Sequence, residues 1–172
     1  MKSQRHLFSW IVTTWFGSGL LPKAPGTWGS LAAIPFAVII SVYTCPYALL
    51  SGIIALFFIG IWASDKIERS AKMKDPGFIV VDEVVGQWIA LLPLPFLYNI
   101  LYPDSYHLYF AIISAVAFIT FRIFDIWKPW PANYADKNIH GGYGIMLDDV
   151  IAGMYALIVT SALATGMVMV FL

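Results

Sequence analysis

The chain has 172 residues, 60% of them hydrophobic and 12% charged, with a mean hydropathy of +0.78. Soluble domains carry about 25% charged residues, so neither a water-soluble globule nor a disordered chain fits this composition. Ten basic residues balance ten acidic ones, which gives no footprint for nucleic acid, and the lone Cys45 excludes an internal disulfide or a cysteine-built zinc site.

What remains is an all-α fold, a polytopic integral membrane helical bundle forming a single domain over residues 1–172. Residues 7–21 are apolar but contain Gly17 and Gly19 and stop at Pro22. They read as an N-terminal re-entrant or interfacial segment; no small-residue cleavage site marks a signal peptide. About five transmembrane helices follow. Residues 29–44 and 46–63 form a hairpin broken at Cys45-Pro46, residues 84–101 contain Pro93 and Pro95, and residues 107–124 and 150–172 complete the set. These lengths approach the roughly 20 residues that cross a bilayer.

Basic residues set the orientation. Lys66, Arg69, Lys72 and Lys74 fall in the connection 64–82, and Lys128 and Lys137 in 125–149, whereas the turns at Cys45-Pro46 and Tyr102–Tyr106 carry none. The basic loops belong in the cytoplasm and the C-terminus outside. Lys2, Arg5 and Lys23 agree only if residues 7–21 enter and leave on one side. Asp65 with Arg69, and Glu68 with Lys72, pair across helical turns as an emerging helix would.

Six of the ten acids cluster: Asp82 and Glu83, then Asp125, Asp136, Asp148 and Asp149. Carboxylates at a membrane border are costly unless paired or used. Hard oxygen ligands gathered on one side suggest a divalent cation, Mg2+ first. Adjacent helical residues point about 100° apart, so one member of each acidic pair is expected on the metal. Helix capping explains one acid per helix better than two.

Phosphate binding is the second theme. Lys23, Gly26, Thr27 and Ser30 precede or open the first span, where glycine and a helix N-terminus admit an anion. His140 stands in a glycine-rich loop eight residues before Asp148. Arg122 lies three residues from Asp125, and Lys128 begins a proline-stiffened turn. Familiar phosphatase devices are missing: Cys45 has Ser51 rather than Arg six positions on, and no Asp-x-Asp pair follows an apolar strand. Metal-assisted attack by water is then the default chemistry.

Together, Phe16 to Leu20, Pro25 to Ser30, Val81 to Glu83 with Gly86 and Trp88, Phe121 to Asp125, Trp127 to Pro131, His140 to Gly142, Gly144 to Met146, and Asp148-Asp149 form a joint pattern. In it the chain resembles the bacterial phosphatidylglycerophosphatase A family. The resemblance runs over residues 16–154 and no acid, lysine or histidine of the pattern is lost. It implies a magnesium-dependent enzyme of the bacterial cytoplasmic (inner) membrane. Its phospholipid substrate, phosphatidylglycerol phosphate, loses the terminal phosphate at the cytoplasmic face to give phosphatidylglycerol.

On this reading Asp82, Glu83, Asp148 and Asp149 are the metal ligands, and Asp125 is a ligand or the base that orients water. Lys128, Arg122 and Lys23 neutralise phosphoryl oxygens, and His140 protonates the leaving alkoxide or binds phosphate. Membrane lipids are the surroundings and nucleic acid is not a partner. The alternative is a small cation-coordinating membrane transporter, which needs an ionisable residue in mid-span, and none of the five spans has one. A nucleotide-dependent lipid phosphotransferase would space its aspartates along helix faces instead of pairing them.

Overall fold

The computed structural model describes residues 2–100 and 106–171, with side chains for 7–100 and 107–169. The connection around Asp104, expected outside the cell, lies outside the described residues. Among them are eight α-helices and no strand: α1 (Lys2–Thr13), α2 (Pro25–Tyr43), α3 (Ala48–Ala71), α4 (Val81–Ala90), α5 (Pro93–Ile100), α6 (Tyr106–Trp127), α7 (Ala132–Asn138) and α8 (Gly141–Phe171). Helices α2, α3, α6 and α8 are each long and apolar enough to cross a bilayer.

The expected span 84–101 is present as two short helices in series. Pro93 brings no N–H and disfavours helix at Leu92 before it. α4 therefore closes with the Leu91 amide shared between the Gln87 and Trp88 carbonyls, at 3.2 Å each. Both pieces advance in the same direction as α8. Gly86 packs on the backbone of Asp149 and Gly153, and the Thr160 hydroxyl donates to the Ala90 carbonyl at 2.8 Å. Further along, Pro93, Leu97 and Ile100 share an apolar cavity with Ser161, Ala164 and Val168. α4 and α5 together make the fifth crossing.

α4 lies at the centre, packed against α2, α3, α6 and α8. Apart from Asp82 and Glu83, all its residues are buried, as befits a helix apolar all round. Trp88 fixes it to α2 by donating Nε1–H to the Ala33 carbonyl at 2.9 Å. The outer faces stay apolar, with Ile39, Phe58, Ile119 and Ile158 all exposed, which suits contact with lipid rather than water.

α1 has twelve residues, about 18 Å of helix, too little for a hydrocarbon core of about 30 Å. Phe8 meets Trp62, with ring centroids 6.1 Å apart, and the Val80 amide donates to the Thr13 carbonyl at 2.7 Å. Trp15, Phe16 and Gly17 then take left-handed conformations and reverse the chain, and Trp15 packs edge-on to Trp88 with centroids 5.7 Å apart. The segment returns to the bundle end where α2 begins, as an interfacial or re-entrant piece does. At that same end lie the starts of α4 and α8 and the finishes of α3 and α6.

Candidate active site

Three elements bring the carboxylates together. Asp82 and Glu83 occupy the first turn of α4, and Asp149 lies two turns inside α8, which begins at Gly141 instead of near residue 150. One carboxylate oxygen from each of these three falls within 4.8 Å of the others. The alignment depends on glycine. A Cβ on Gly86 would lie 2.6 Å from the Asp149 carbonyl oxygen, and one on Gly153 would lie 2.6 Å from the Gly86 carbonyl oxygen. Only with hydrogen at both positions can α4 and α8 approach so closely, one turn below the acids.

Capping does not account for these residues. The residue preceding α4 is Val80, with no side-chain cap bond, and Asp148 and Asp149 are too far inside α8 to cap it. Of the pair Asp148-Asp149 only Asp149 joins the cluster, whereas Asp82 and Glu83 both join it. The physical reason is position. Cβ bonds tilt toward a helix N-terminus, so two neighbours in the first turn can both reach past the end of α4.

Asp148 turns instead to Lys128. The Lys128 ammonium contacts Asp148 Oδ2 and lies 3.0 Å from Asp136 Oδ1. Burial alone would depress this ammonium, but the hydrogen bond and charge of Asp148, aided by Asp136, hold it above the usual lysine range. Lys128 ends α6 in a left-handed conformation, φ 46°, with its amide bonded to the Phe124 carbonyl at 2.8 Å. On the last turn of α6, Arg122 Nη1 stands 2.5 Å from Asp125 Oδ2.

A cavity of about 240 Å³ runs through this end, walled by Ala24 to Gly26, Asp75, Gly77, Ile79, Asp82, Glu83, Arg122, Asp125, Lys128, Asp148 and Asp149. Ala24, Asp75 and Lys128 are all non-glycine residues with positive φ. Such conformations cost on the order of 1–3 kcal/mol each and gather at functional sites. A second polar cavity of about 390 Å³ adjoins it, sharing Asp75 and Asp148 and adding Glu68, Asp136 and His140.

The sequence-derived candidates divide accordingly. Asp82, Glu83, Arg122, Asp125, Lys128, Asp148, Asp149 and Gly26 line the first cavity, and His140 lines the second. Lys23 is exposed and lines neither, as does half-buried Thr27. Ser30 is buried with its hydroxyl donating to the Gly26 carbonyl at 2.8 Å, so it serves α2 rather than the cavity. Gly26 acts as wall. A side chain there would collide with the Glu83 carboxylate and come within 3.2 Å of Arg122 Nη1. Asp75 is the residue missed, and Asp136, counted in the acidic cluster, has no role in the sequence reading. Asp75 stands in an Asp-Pro-Gly run that reads only as a turn, and its place in the cavity comes from tertiary packing.

A hard divalent cation fits this donor set. Asp82 Oδ1, Glu83 Oε2 and Asp148 Oδ1 are buried without hydrogen-bond partners, and a divalent cation between the three clustered carboxylates would relieve the repulsion among their ionised forms.

Comparison with known proteins agrees with this chemistry. The chain is 40% identical over 145 residues to phosphatidylglycerophosphatase A of Escherichia coli, covering 84% of this chain and 76% of that one. It is 39% identical over 153 residues to the Haemophilus influenzae protein of the same name, covering 89% and 86%. A Bacteroides thetaiotaomicron protein that carries the provisional name phosphatidylinositol-3-phosphatase is 41% identical over 153 residues, covering 86% and 88%. No solved structure matches. The family model for phosphatidylglycerophosphatase A matches residues 11–164, and the chain belongs to that family.

Proposed function

We propose that this membrane protein hydrolyses the terminal phosphomonoester of phosphatidylglycerol phosphate, with Mg2+, at the cytoplasmic face of the bacterial inner membrane. The carrying observation is the cluster of Asp82, Glu83 and Asp149 within 4.8 Å, at the bundle end that also bears most of the lysines. Asp82, Glu83 and Asp149 would hold the ion, with Asp148 beside them, and the ion would supply Lewis-acid chemistry to a phosphoryl oxygen and to water. The orientation follows from the basic loops.

The protein's own groups do the rest. Asp125 accepts a hydrogen bond from the attacking water and takes its proton as the new P–O bond forms. Arg122, with Lys128 behind Asp148, balances the charge that builds on the phosphoryl oxygens. The bond from phosphorus to the glycerol oxygen breaks, and that oxygen takes a proton either from His140, in the adjoining cavity, or from the Asp125 carboxyl that received the proton of water, in which case His140 binds the released phosphate. Gly26 and the start of α2 close one side, while Lys23, Thr27 and Ser30 contribute through the position of that turn.

Phosphate release by purified protein tests this reading. Phosphatidylglycerol phosphate should be cleaved, chelator should abolish turnover, and Mg2+ should restore it. Calcium should support less, because its looser coordination positions water and phosphate less well. Phosphatidylinositol 3-phosphate, offered in parallel, should be the poorer substrate. Full turnover in excess chelator, after thorough stripping, would remove the metal from the mechanism.

A further inference from the structure

Arg122 belongs to two cavities. One side of it lines the carboxylate cavity. The other forms part of the wall of an apolar groove of about 630 Å³ on the outer face of α6, together with Phe118, Ile119, Ile123, Ile126 and Trp127. We propose that this groove is the lateral portal through which the lipid substrate reaches the site, and that it holds the substrate's acyl-glycerol part while Arg122 meets the phosphate. The inference rests on the reading of the protein as a lipid phosphatase and adds where the lipid lies.

Continuity and charge carry the argument. A phospholipid must keep its chains in hydrocarbon while its phosphate enters a polar cavity, so its route needs apolar walls that reach a cation. Between α4 and α8 the space is closed one turn below the acids by the backbone contact of Gly86 with Gly153. Toward α2, the start of the helix approaches α6 at Gly26, where Arg122 Nη1 would lie only 3.2 Å from an added Cβ. Arg122 is mostly withdrawn from solvent, with its side chain 17% exposed, and its Nε has no hydrogen-bond partner. A phosphate oxygen would satisfy that donor and draw on its charge.

Phe118 and Ile119 lie about one turn to the bilayer side of Arg122, and Ile126 and Trp127 about one turn to the other side. Ile119, Ile123 and Ile126 recur at three- and four-residue steps and so share one face. Any lipid-facing helix exposes isoleucines; a groove whose wall includes a mostly buried arginine is different. A second apolar cavity, between α5 and α8, lies toward the far end of the bundle and has no charged residue in its wall, so nothing there meets a phosphate.

The test compares two forms of phosphatidylglycerol phosphate, dipalmitoyl in mixed micelles and dihexanoyl as monomers in water. Ile123→Trp and Ile119→Trp fill the groove. Each should raise KM for the dipalmitoyl form about tenfold, the worth of about two buried methylenes, and leave the dihexanoyl form within twofold. Ile158→Trp, on the lipid-facing side of α8, should alter neither. Equal loss toward both substrates, or no loss toward either, overturns the portal. A second measurement needs no turnover: a photoreactive amino acid at position 123 or 158, with labelled dipalmitoyl substrate diluted in phosphatidylcholine and chelator present. Cross-linking should be several-fold stronger at 123, and equal yields overturn the proposal. A wild-type protein inactive on both substrates would instead defeat the phosphatase reading, while the cross-linking yields still decide the groove.

Discussion

Replacing Asp149 by Asn keeps the shape of the side chain and removes one negative charge from the three-carboxylate cluster. If that cluster holds the ion, Asp82→Asn, Glu83→Gln and Asp149→Asn should each lower turnover on the order of 10²-fold or more, with normal insertion and yield. Asp65→Asn is the control, because Asp65 pairs with exposed Arg69 on α3 at 3.0 Å and should remain near wild type. Near-normal phosphate release from all three cluster variants would make the acids structural. Lys128 gives a pH test. Its ammonium is held above the usual lysine value of 10.5 by Asp148 and Asp136, against the effect of burial. A raised folded-state value means that its stabilising contribution is complete below the unfolded value and fades as pH rises through the folded one. Melting temperature and activity should therefore show no loss that Lys128→Met removes anywhere below about pH 10. A Lys128-dependent limb near neutrality would mean that its carboxylate partners are absent. The acids and Lys128 were legible in the sequence because charge at a membrane border has few uses. Which carboxylate of each pair turns inward was not, since it depends on where a helix starts, and α8 starts at Gly141.

Helix α4 shows why glycine placement matters more here than helix propensity. Eight of its ten residues are buried, packed against four other helices, and its acids reach Asp149 only because Gly86 and Gly153 let two backbones touch. Gly153→Ala puts a methyl 2.6 Å from a carbonyl oxygen that no rotamer change can move. The helices must part, with an expected cost of about 1–3 kcal/mol and a loss of activity larger than the loss of stability. Gly166→Ala, later on α8 with nothing within 4 Å of the added carbon, should leave melting temperature and turnover nearly unchanged. Equal behaviour of the two variants would mean that the crossing is looser than described. From sequence, Gly86 could be noted but not matched to Gly153, because pairing across 67 positions is a tertiary fact. The break in the third span had a visible cause in Pro93 and Pro95. Its consequence, a short central helix whose first turn carries the site, needed the packing of α2, α3, α6 and α8 around it.

At the scale of the whole molecule, five crossings make the two ends of the bundle unlike. One end gathers Asp82, Glu83, Asp125, Lys128, Asp148 and Asp149 around the carboxylate cavity, together with Lys66, Arg69, Lys72, Lys74 and Lys137. At the other, the turn between α2 and α3 presents exposed Cys45 with no charged residue near it in sequence. The proposed orientation puts the first end, with its basic excess, in the cytoplasm, and five crossings would then send the end of α8 outside. Cys45 is the only native thiol, so the assignment can be read directly in intact cells. An impermeant thiol reagent added from outside should label Cys45 in the native chain. In a Cys45→Ser background, Lys74→Cys and Lys137→Cys should be labelled only after the membrane is opened. Both positions border the polar cavity that contains His140, so their protection also places the phosphate-release side in the cytoplasm. Labelling of either from outside would reverse the bundle and require the substrate's phosphate to be presented on the exported leaflet.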